Sequence, residues 1–290
     1  QTDYGPKWIE ADQIWSGTAT GTPRQGEGIV VGVIDSGLNR THNSFSGTGI
    51  TNPRPGFYGY CTTTPSACSG KVIGLWNFTG GNNTGLADPN DTDGHGTHVA
   101  GTAVGNTLVL GSGVTISGVA PKASLIAYKG CPGDTCEGAA LIRSIDQATA
   151  DAVDVINYSI GSGPFDPWAT VGDASADDAE SFLAAREAGI VVAASAGNDG
   201  PDPGTHGNPA NSPWVMGVAA ATHDRSGAGD RLASFSGRGP VVPVGVNKPD
   251  ITGPGVSIRA AGTASNTAVA TLSGTSMSSP HVAGAAALLR

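Results

Sequence analysis

A three-layer α/β fold, with a mostly parallel twisted sheet and helices on both faces, follows from three features of the sequence. The run Gly28 to Asp35, GIVVGVID, is short, apolar and rich in β-branched residues, and an acid and Ser36-Gly37 close it. That is the pattern of a strand buried on both faces of a parallel sheet. From Val114 onward, strand-like and helix-like segments alternate, and a β-α-β-α-β order demands a parallel sheet with right-handed crossovers. The chain has 290 residues, 38% of them hydrophobic, enough for one large core. Its 45 glycines and only 13% charged residues fit a compact, turn-rich protein and not a disordered one.

The elements follow in order. Asp35 falls at the carboxyl end of the first strand, where open α/β sheets place their sites; a lone acid there also serves as a cap or turn residue. Residues 39–92 are rich in Asn, Thr, Gly and Pro and read as surface excursions around one clear strand, Lys71 to Phe78. They hold Asn-x-Thr tripeptides at Asn39, Asn77, Asn82 and Asn90, a pattern that chance produces often. In DGHGTHVAG, residues 93–101, glycines flank His95 and a small-residue helix begins. His95 and His98 lie three apart, so zinc ligation must be weighed. No Glu sits between them and no third ligand is near in sequence, which leaves His95 as an imidazole at a helix start.

Ala123 to Lys129 predicts a strand. Gly138 to Ala152 predicts a helix with Ala139, Leu141, Ile142, Ile145 and Ala148 on its apolar face. Val153 to Ser159 is the next strand, and Asp177 to Ala188 a helix with Phe182, Leu183 and Ala185 inward. Ile190 to Ala196 is a strand running into Gly197-Asn198-Asp199-Gly200. Trp214 to Ala220 and Val256 to Ala260 predict further strands. In GTSMSSPHVAGAAALLR, residues 274–290, Ser276 sits where a loop turns into a helix. The first N–H groups of that helix have no internal partner and carry partial positive charge, a ready anion site. Pro280 is expected in the first turn, where its missing N–H costs little. Taken alone, Ser276 equally reads as a capping serine before a buried helix. No internal repeat or linker divides the chain, so one domain is expected over 1–290.

Composition excludes several function classes. A net charge of -9 argues against nucleic acid as a partner. No apolar run approaches the ~20 residues that span a bilayer, which argues against a membrane protein. The first residues have neither the basic start nor the apolar stretch of a signal peptide, so an exported chain would begin at a processed Gln1. The four cysteines form two close pairs, Cys61 with Cys68 and Cys131 with Cys136, each among turn-forming residues and neither in C-x-x-C spacing. Two disulfides closing small surface loops, 61–68 and 131–136, are the expectation. They imply an oxidising, extracellular setting and a secreted protein.

Asp35, His95, Asn198 and Ser276 each fall at a strand end or helix start, and a hydrolase needs these four types in one site. A serine attacks a carbonyl, a histidine carries its proton to the leaving group, a carboxylate orients the ring, and an amide donor holds the oxyanion. The blocks VIDSG, DGHGTHVAG, SAGNDG and GTSMSSPHVAG, in the order Asp, His, Asn, Ser, resemble the subtilisin-like serine proteases. GVAPKASLIAYK, INYSIGSG, FSGRGP and KPDITGPG extend the resemblance over nearly the whole chain from about Glu10. The resemblance implies the subtilisin-like α/β fold and a serine endopeptidase. By it, Asp35 is the orienting acid, His95 the general base, Ser276 the nucleophile and Asn198 the oxyanion donor, with His98 and His281 structural.

It also implies that an extended peptide pairs with two segments, here Gly133 and Asp134 up to Cys136, and Ser159-Ile160-Gly161. The P1 pocket is then expected to be lined by Ser159 to Gly161, Ala194 to Gly197 (Ala196 and Gly197 among them) and the Gly207 region. With no charged residue mapping to its base, apolar or aromatic P1 side chains are the expected preference. Protein or peptide substrates are the implied partners, along with the chain's own propeptide or a C-terminal fragment. No cofactor is expected. The calcium ligand of many relatives maps near Ser44, which is no carboxylate; another calcium site in the Asp- and Asn-rich loops stays open. Relatives usually continue past the helix in which this chain stops, so the catalytic domain is expected to lack its usual C-terminal elements. An inactive peptide-binding homologue, or an esterase or polymer hydrolase using the same triad, are the competing functions.

Overall fold

The computed structural model describes residues 4–111, 113–168, 177–223, 229–241 and 246–290. Among the described residues the α-helices are α1 (Gly5–Trp8), α2 (Ala11–Trp15), α3 (Tyr60–Thr63), α4 (His95–Val104), α5 (Gly138–Ala150), α6 (Asp177–Glu187) and α7 (Thr275–Leu289). The strands are β1 (Val30–Asp35), β2 (Tyr58–Gly59), β3 (Val72–Asn77), β4 (Leu108–Val109), β5 (Thr115–Ile116), β6 (Ser124–Lys129), β7 (Val155–Tyr158), β8 (Val191–Ser195), β9 (Met216–Ala221), β10 (Ile251–Pro254), β11 (Ile258–Ala261) and β12 (Val269–Leu272).

Eight strands make one sheet in the order β10-β9-β8-β7-β1-β6-β3-β2, and every pairing in it is parallel. β11–β12 and β4–β5 are separate antiparallel ladders. The expected α/β fold is therefore present. Strand order turns around at β1, between β6 and β7, which is where an open parallel sheet opens a crevice at its carboxyl edge.

The period-2 alternation of β1 divides the core. Val31 and Val33 pack with Val99, Ala103, Met277, Ala283 and Ala287 from α4 and α7. Val30 and Ile34 pack with Ile145 and Ala148 of α5 and Phe182 and Ala185 of α6. These are the two outer layers. At about 25 cal/mol per Å² of apolar surface removed from water, burial of these strands on both faces is the main force holding the sheet.

Local departures from the sequence reading have local causes. On α5, Ala139 is exposed and the buried stripe runs through Ala140, Leu141, Ser144, Ile145 and Ala148. Ser144 joins an apolar stripe because its hydroxyl donates back to the Ala140 carbonyl at 2.7 Å. On α6 the inward line is Ala179, Phe182 and Ala185, with Leu183 only half-buried. β10 is a strand that the alternation did not mark, since Ile251 and Thr252 are exposed at the sheet edge. Both disulfides, Cys61–Cys68 and Cys131–Cys136, are formed. They are less superficial than expected, because Cys61 and Cys131 belong to the two buried cores. Asn39 and Asn77 are buried too, and their amides donate to the Gly262 and Asp88 carbonyls.

Candidate active site

Asp35 ends β1 and is buried, and its Oδ1 lies 2.8 Å from His95 Nδ1 and accepts the Ser36 N–H at 2.7 Å. His95 opens α4, and its own N–H donates to Asp93 Oδ1 at 3.0 Å. Gly94 before it takes φ 108°, a conformation that favours glycine. Gly96 after it lets the helix close on the strand: a Cβ there would meet the Gly37 carbonyl at 2.5 Å and Asp35 Cβ at 3.1 Å.

A buried carboxylate that the sequence reading passed over ties these pieces together. Asp91 accepts from the Ser36 hydroxyl (2.9 Å), the Gly94 N–H (2.8 Å), the Thr97 N–H (2.8 Å) and the Thr97 hydroxyl (2.6 Å). Ser36 Oγ in turn accepts the Gly96 N–H at 2.9 Å. Asp91 thus caps α4 and fastens its first turn to the end of β1. Lys129, beside Asp35 in the β1–β6 register, donates from its buried ammonium to the Ser36 and Asn90 carbonyls. No sequence signal short of pairing the loop with the strand end identifies this pair.

The electrostatics of the two α4 histidines diverge. Burial works against charging His95, but the charge and hydrogen bond of Asp35, joined by the charges of Asp93 and Asp91, outweigh it and raise its pKa to about 9. His98 has no such partner. Burial pushes its pKa down to about 4, and its Nε2–H donates to the Ile258 carbonyl at 3.0 Å. It is a neutral structural ring, as is His281, pushed down to about 3 by burial, whose Nδ1–H donates to the Met277 carbonyl at 2.8 Å. Among the described residues no group of three or more His, Cys, Asp or Glu is placed to hold a metal ion.

Ser276 is the second residue of α7. Its hydroxyl donates to the Ser159 carbonyl at 3.1 Å, and among the described residues His95 Nε2 has no hydrogen-bond partner. Asn198 is held from behind: its Oδ1 accepts the Thr275 N–H (2.9 Å) and hydroxyl (3.0 Å). Among the described residues no hydrogen bond engages its Nδ2. A Cβ on Gly274 would sit 3.6 Å from Asn198 Nδ2 and 3.7 Å from the Ser276 nitrogen, so both donors border the space that Gly274 keeps open. Pro280 is not in the first turn. α7 begins at Thr275, so Pro280 lies inside the helix, and the helix persists because a partner from outside serves the carbonyl that proline leaves unbonded.

A cleft of about 850 Å³ runs along this edge of the sheet. Asp35, His95, Gly133, Asp134, Ser159, Ile160 and Gly161 all line it. Ser276 adjoins it through Ser159. Ala196, Gly197 and Gly207 do not line it, and the Gly207 N–H donates to the Ala196 carbonyl at 2.9 Å. Asp178 reaches the cleft wall from α6, where Asn208 Nδ2 donates to it at 2.9 Å. Asp178 lies 19 positions after Ser159 in the chain, and only the packing of α6 on the sheet brings it there.

The arrangement has the parts to activate a hydroxyl, carry its proton and bind an oxyanion, and the chain is similar to known proteins. The profile described as "Subtilase family" matches residues 26–290. The chain is 35% identical over 252 residues to Subtilisin-like protease SBT2.4 of Arabidopsis thaliana, covering 78% of this chain and 30% of that protein. It is 37% identical over 256 residues to Subtilisin-like protease SBT1.4 of the same plant, covering 80% and 31%. The chain thus spans less than a third of the length of these curated relatives. Among solved structures, the S41 psychrophilic protease superposes with a TM-score of 0.71 at 31% identity, over 96% of this chain and 82% of that one. A cold adapted subtilisin-like serine proteinase superposes with a TM-score of 0.65 at 27% identity, over 92% and 76%. Strand order, a carboxylate–imidazole pair and a serine-bearing helix on one sheet edge, together with a profile matching nearly the full length, place this chain in the subtilase family.

Proposed function

We propose that this chain is the catalytic domain of a secreted serine endopeptidase. The observation that carries the proposal is the 2.8 Å pairing of His95 Nδ1 with Asp35 on the cleft that Ser276 adjoins. In this reading Asp35 fixes the tautomer that leaves Nε2 free to accept a proton. The Ser276 hydroxyl turns from the Ser159 carbonyl to that nitrogen and attacks the substrate carbonyl. The tetrahedral oxygen takes hydrogen bonds from Asn198 Nδ2 and the Ser276 N–H at the helix start. The imidazolium protonates the leaving amine, and water, activated the same way, releases the acyl group.

Substrate enters as an added strand along Gly133–Asp134 and Ser159–Gly161. Leu141, Ile142, Tyr158, Ile160 and Phe165 supply apolar surface in the cleft, which supports apolar or aromatic side chains at P1. Asp134 and Asp178 in the same wall disfavour acidic ones. Two disulfides support an oxidising destination.

A fluorophosphonate probe tests the nucleophile: the folded protein is expected to be labelled at Ser276, and Ser276→Ala to be silent. An unlabelled wild type would favour the peptide-binding alternative. Rates on a peptide and its ester analogue then separate a peptidase from an esterase, and a cleavage profile dominated by Asp or Glu at P1 would sink the pocket assignment.

A further inference from the structure

Proline at 280 opens a gap in the bonding of α7. In an uninterrupted helix the N–H of residue 280 would donate to the carbonyl of Ser276, four positions earlier. Proline has no N–H to give. The Ser276 carbonyl instead accepts the Ser159 hydroxyl at 2.8 Å, from just past the end of β7. The bond is returned, since the Ser276 hydroxyl donates to the Ser159 carbonyl at 3.1 Å. The two serines are therefore joined side chain to main chain in both directions.

A third group sets the direction of the Ser159 hydroxyl. Asn157 Nδ2 donates to it at 3.0 Å, so its proton is directed to the Ser276 carbonyl. Asn157 Oδ1 then accepts the Ser279 hydroxyl at 2.8 Å, which brings the circuit back to α7. Asn157 and Ser279 are fully buried and Ser159 is 4% exposed, so water does not compete for these bonds. The two halves of the serine pair have different fates during acyl transfer. The Ser276 hydroxyl must leave the Ser159 carbonyl to reach His95, whereas the Ser159 hydroxyl can keep its hold on the Ser276 main chain throughout.

We infer that Ser159 is a positioning residue for Ser276: its hydroxyl grips the carbonyl that Pro280 leaves bare and so fixes where the nucleophile stands while its side chain turns. This rests on the reading of Ser276 as the nucleophile. A hydroxyl that merely satisfied a buried polar group would change stability when removed and leave the labelling rate and kcat of the folded protein unmoved. A positioning role makes the two sites interdependent, because alanine at 280 supplies an N–H to the same carbonyl.

The test uses the whole chain as wild type, Ser159→Ala, Pro280→Ala and the double variant. Fluorophosphonate labelling rate, peptide kcat and KM, and thermal unfolding are measured for each. Ser159→Ala is expected to slow labelling and kcat about tenfold with KM within about twofold. In the Pro280→Ala background the same change is expected to slow them by less than about threefold. Equal slowing in both backgrounds, or a loss confined to KM, overturns the inference. Should Ser159→Ala fold poorly, Pro280→Ala alone is expected to alter labelling at least about threefold, by giving the carbonyl a competing donor; an unaltered rate overturns it. A wild type that is never labelled overturns the nucleophile reading and this inference together. Normal wild-type labelling with an equally fast Ser159→Ala overturns the grip alone.

Discussion

The two helical layers of this protein are built on different rules. α5 and α6 lie on one face of the sheet and bury one stripe each, leaving charged residues such as Arg143, Asp146, Glu180 and Glu187 outside. α4 and α7 lie on the other face, and all of α4 after His95 is buried, as is most of α7. They are made mostly of Gly, Ala, Ser, Thr and Val and pack close on the strands and on each other. His95 and Ser276, the proposed base and nucleophile, both come from the buried pair. A helix held on every side keeps its first turn within the tenths of an ångström that acyl transfer requires. A helix free on one side serves as cover.

The sharpest break between the layers is expected in activity. Asn198→Ala removes the proposed oxyanion donor, fastened to the start of α7, and should cost kcat about 10²–10³-fold, the usual loss for one such donor, with little change in KM. Gln147→Ala on α5 should leave kcat within about twofold. Steady-state kinetics on one peptide reads both.

Stability comes next. A Cβ on Gly284 would lie 2.6 Å from Val119 Cβ and 2.7 Å from the Ala103 carbonyl. Gly284→Ala is therefore expected to destabilise by about 1–3 kcal/mol despite the better helix propensity of alanine. Ala184→Leu, exposed on α6, should stay within about 0.5 kcal/mol. Urea midpoints decide.

The acid response is the third difference. The unfolded chain protonates its histidines near pH 6.5, whereas folded His98 resists until about 4 and His281 until about 3. Between those values the unfolded state binds more protons, so stability falls as pH drops below about 6.5. His281→Gln should flatten that slope, and no change in it would count against the burial argument.

The smallest effect concerns His95. Its raised pKa, about 9, means the ring must lose a proton before it can act as a base. The kcat/KM profile should climb through the alkaline range, with its midpoint well above the usual imidazole value. The stabilisation from the Asp35 pair runs the opposite way: full below about 6.5, and lost as pH rises through about 9. Asp93→Asn keeps an oxygen for the His95 N–H but removes one negative charge, and should lower the kinetic midpoint by a few tenths of a unit.

Legibility followed the same division. α5 announced itself through periodicity, since one face meets water. α4 has no usable period, because every position after His95 is inside, and its glycine-bordered motif marks it instead, whereas α7 shows an alanine-rich run at helical spacing behind its motif. The edge strand β10 and the two-residue β2 gave no alternation to read. Asp91 hid in an Asn-Asp-Thr tripeptide that looked like exposed loop, yet it is 3% exposed and caps a helix. Asp178 and Asn208 meet only after α6 packs on the sheet. Pro280 was placed one turn too early because the external partner that makes it tolerable, Ser159, lies 117 residues away.

The loop from Cys131 to Cys136 is pinned where it matters. The Gly130 and Cys131 N–H groups both donate to the Asp35 carbonyl, and the bridge returns the chain to the same spot five residues later. The tip between the two sulfurs, with Gly133 open and Asp134 and Thr135 exposed, is thereby insulated from the acid it borders. An engineer could graft new sequence between those cysteines to probe the proposed substrate wall without disturbing Asp35.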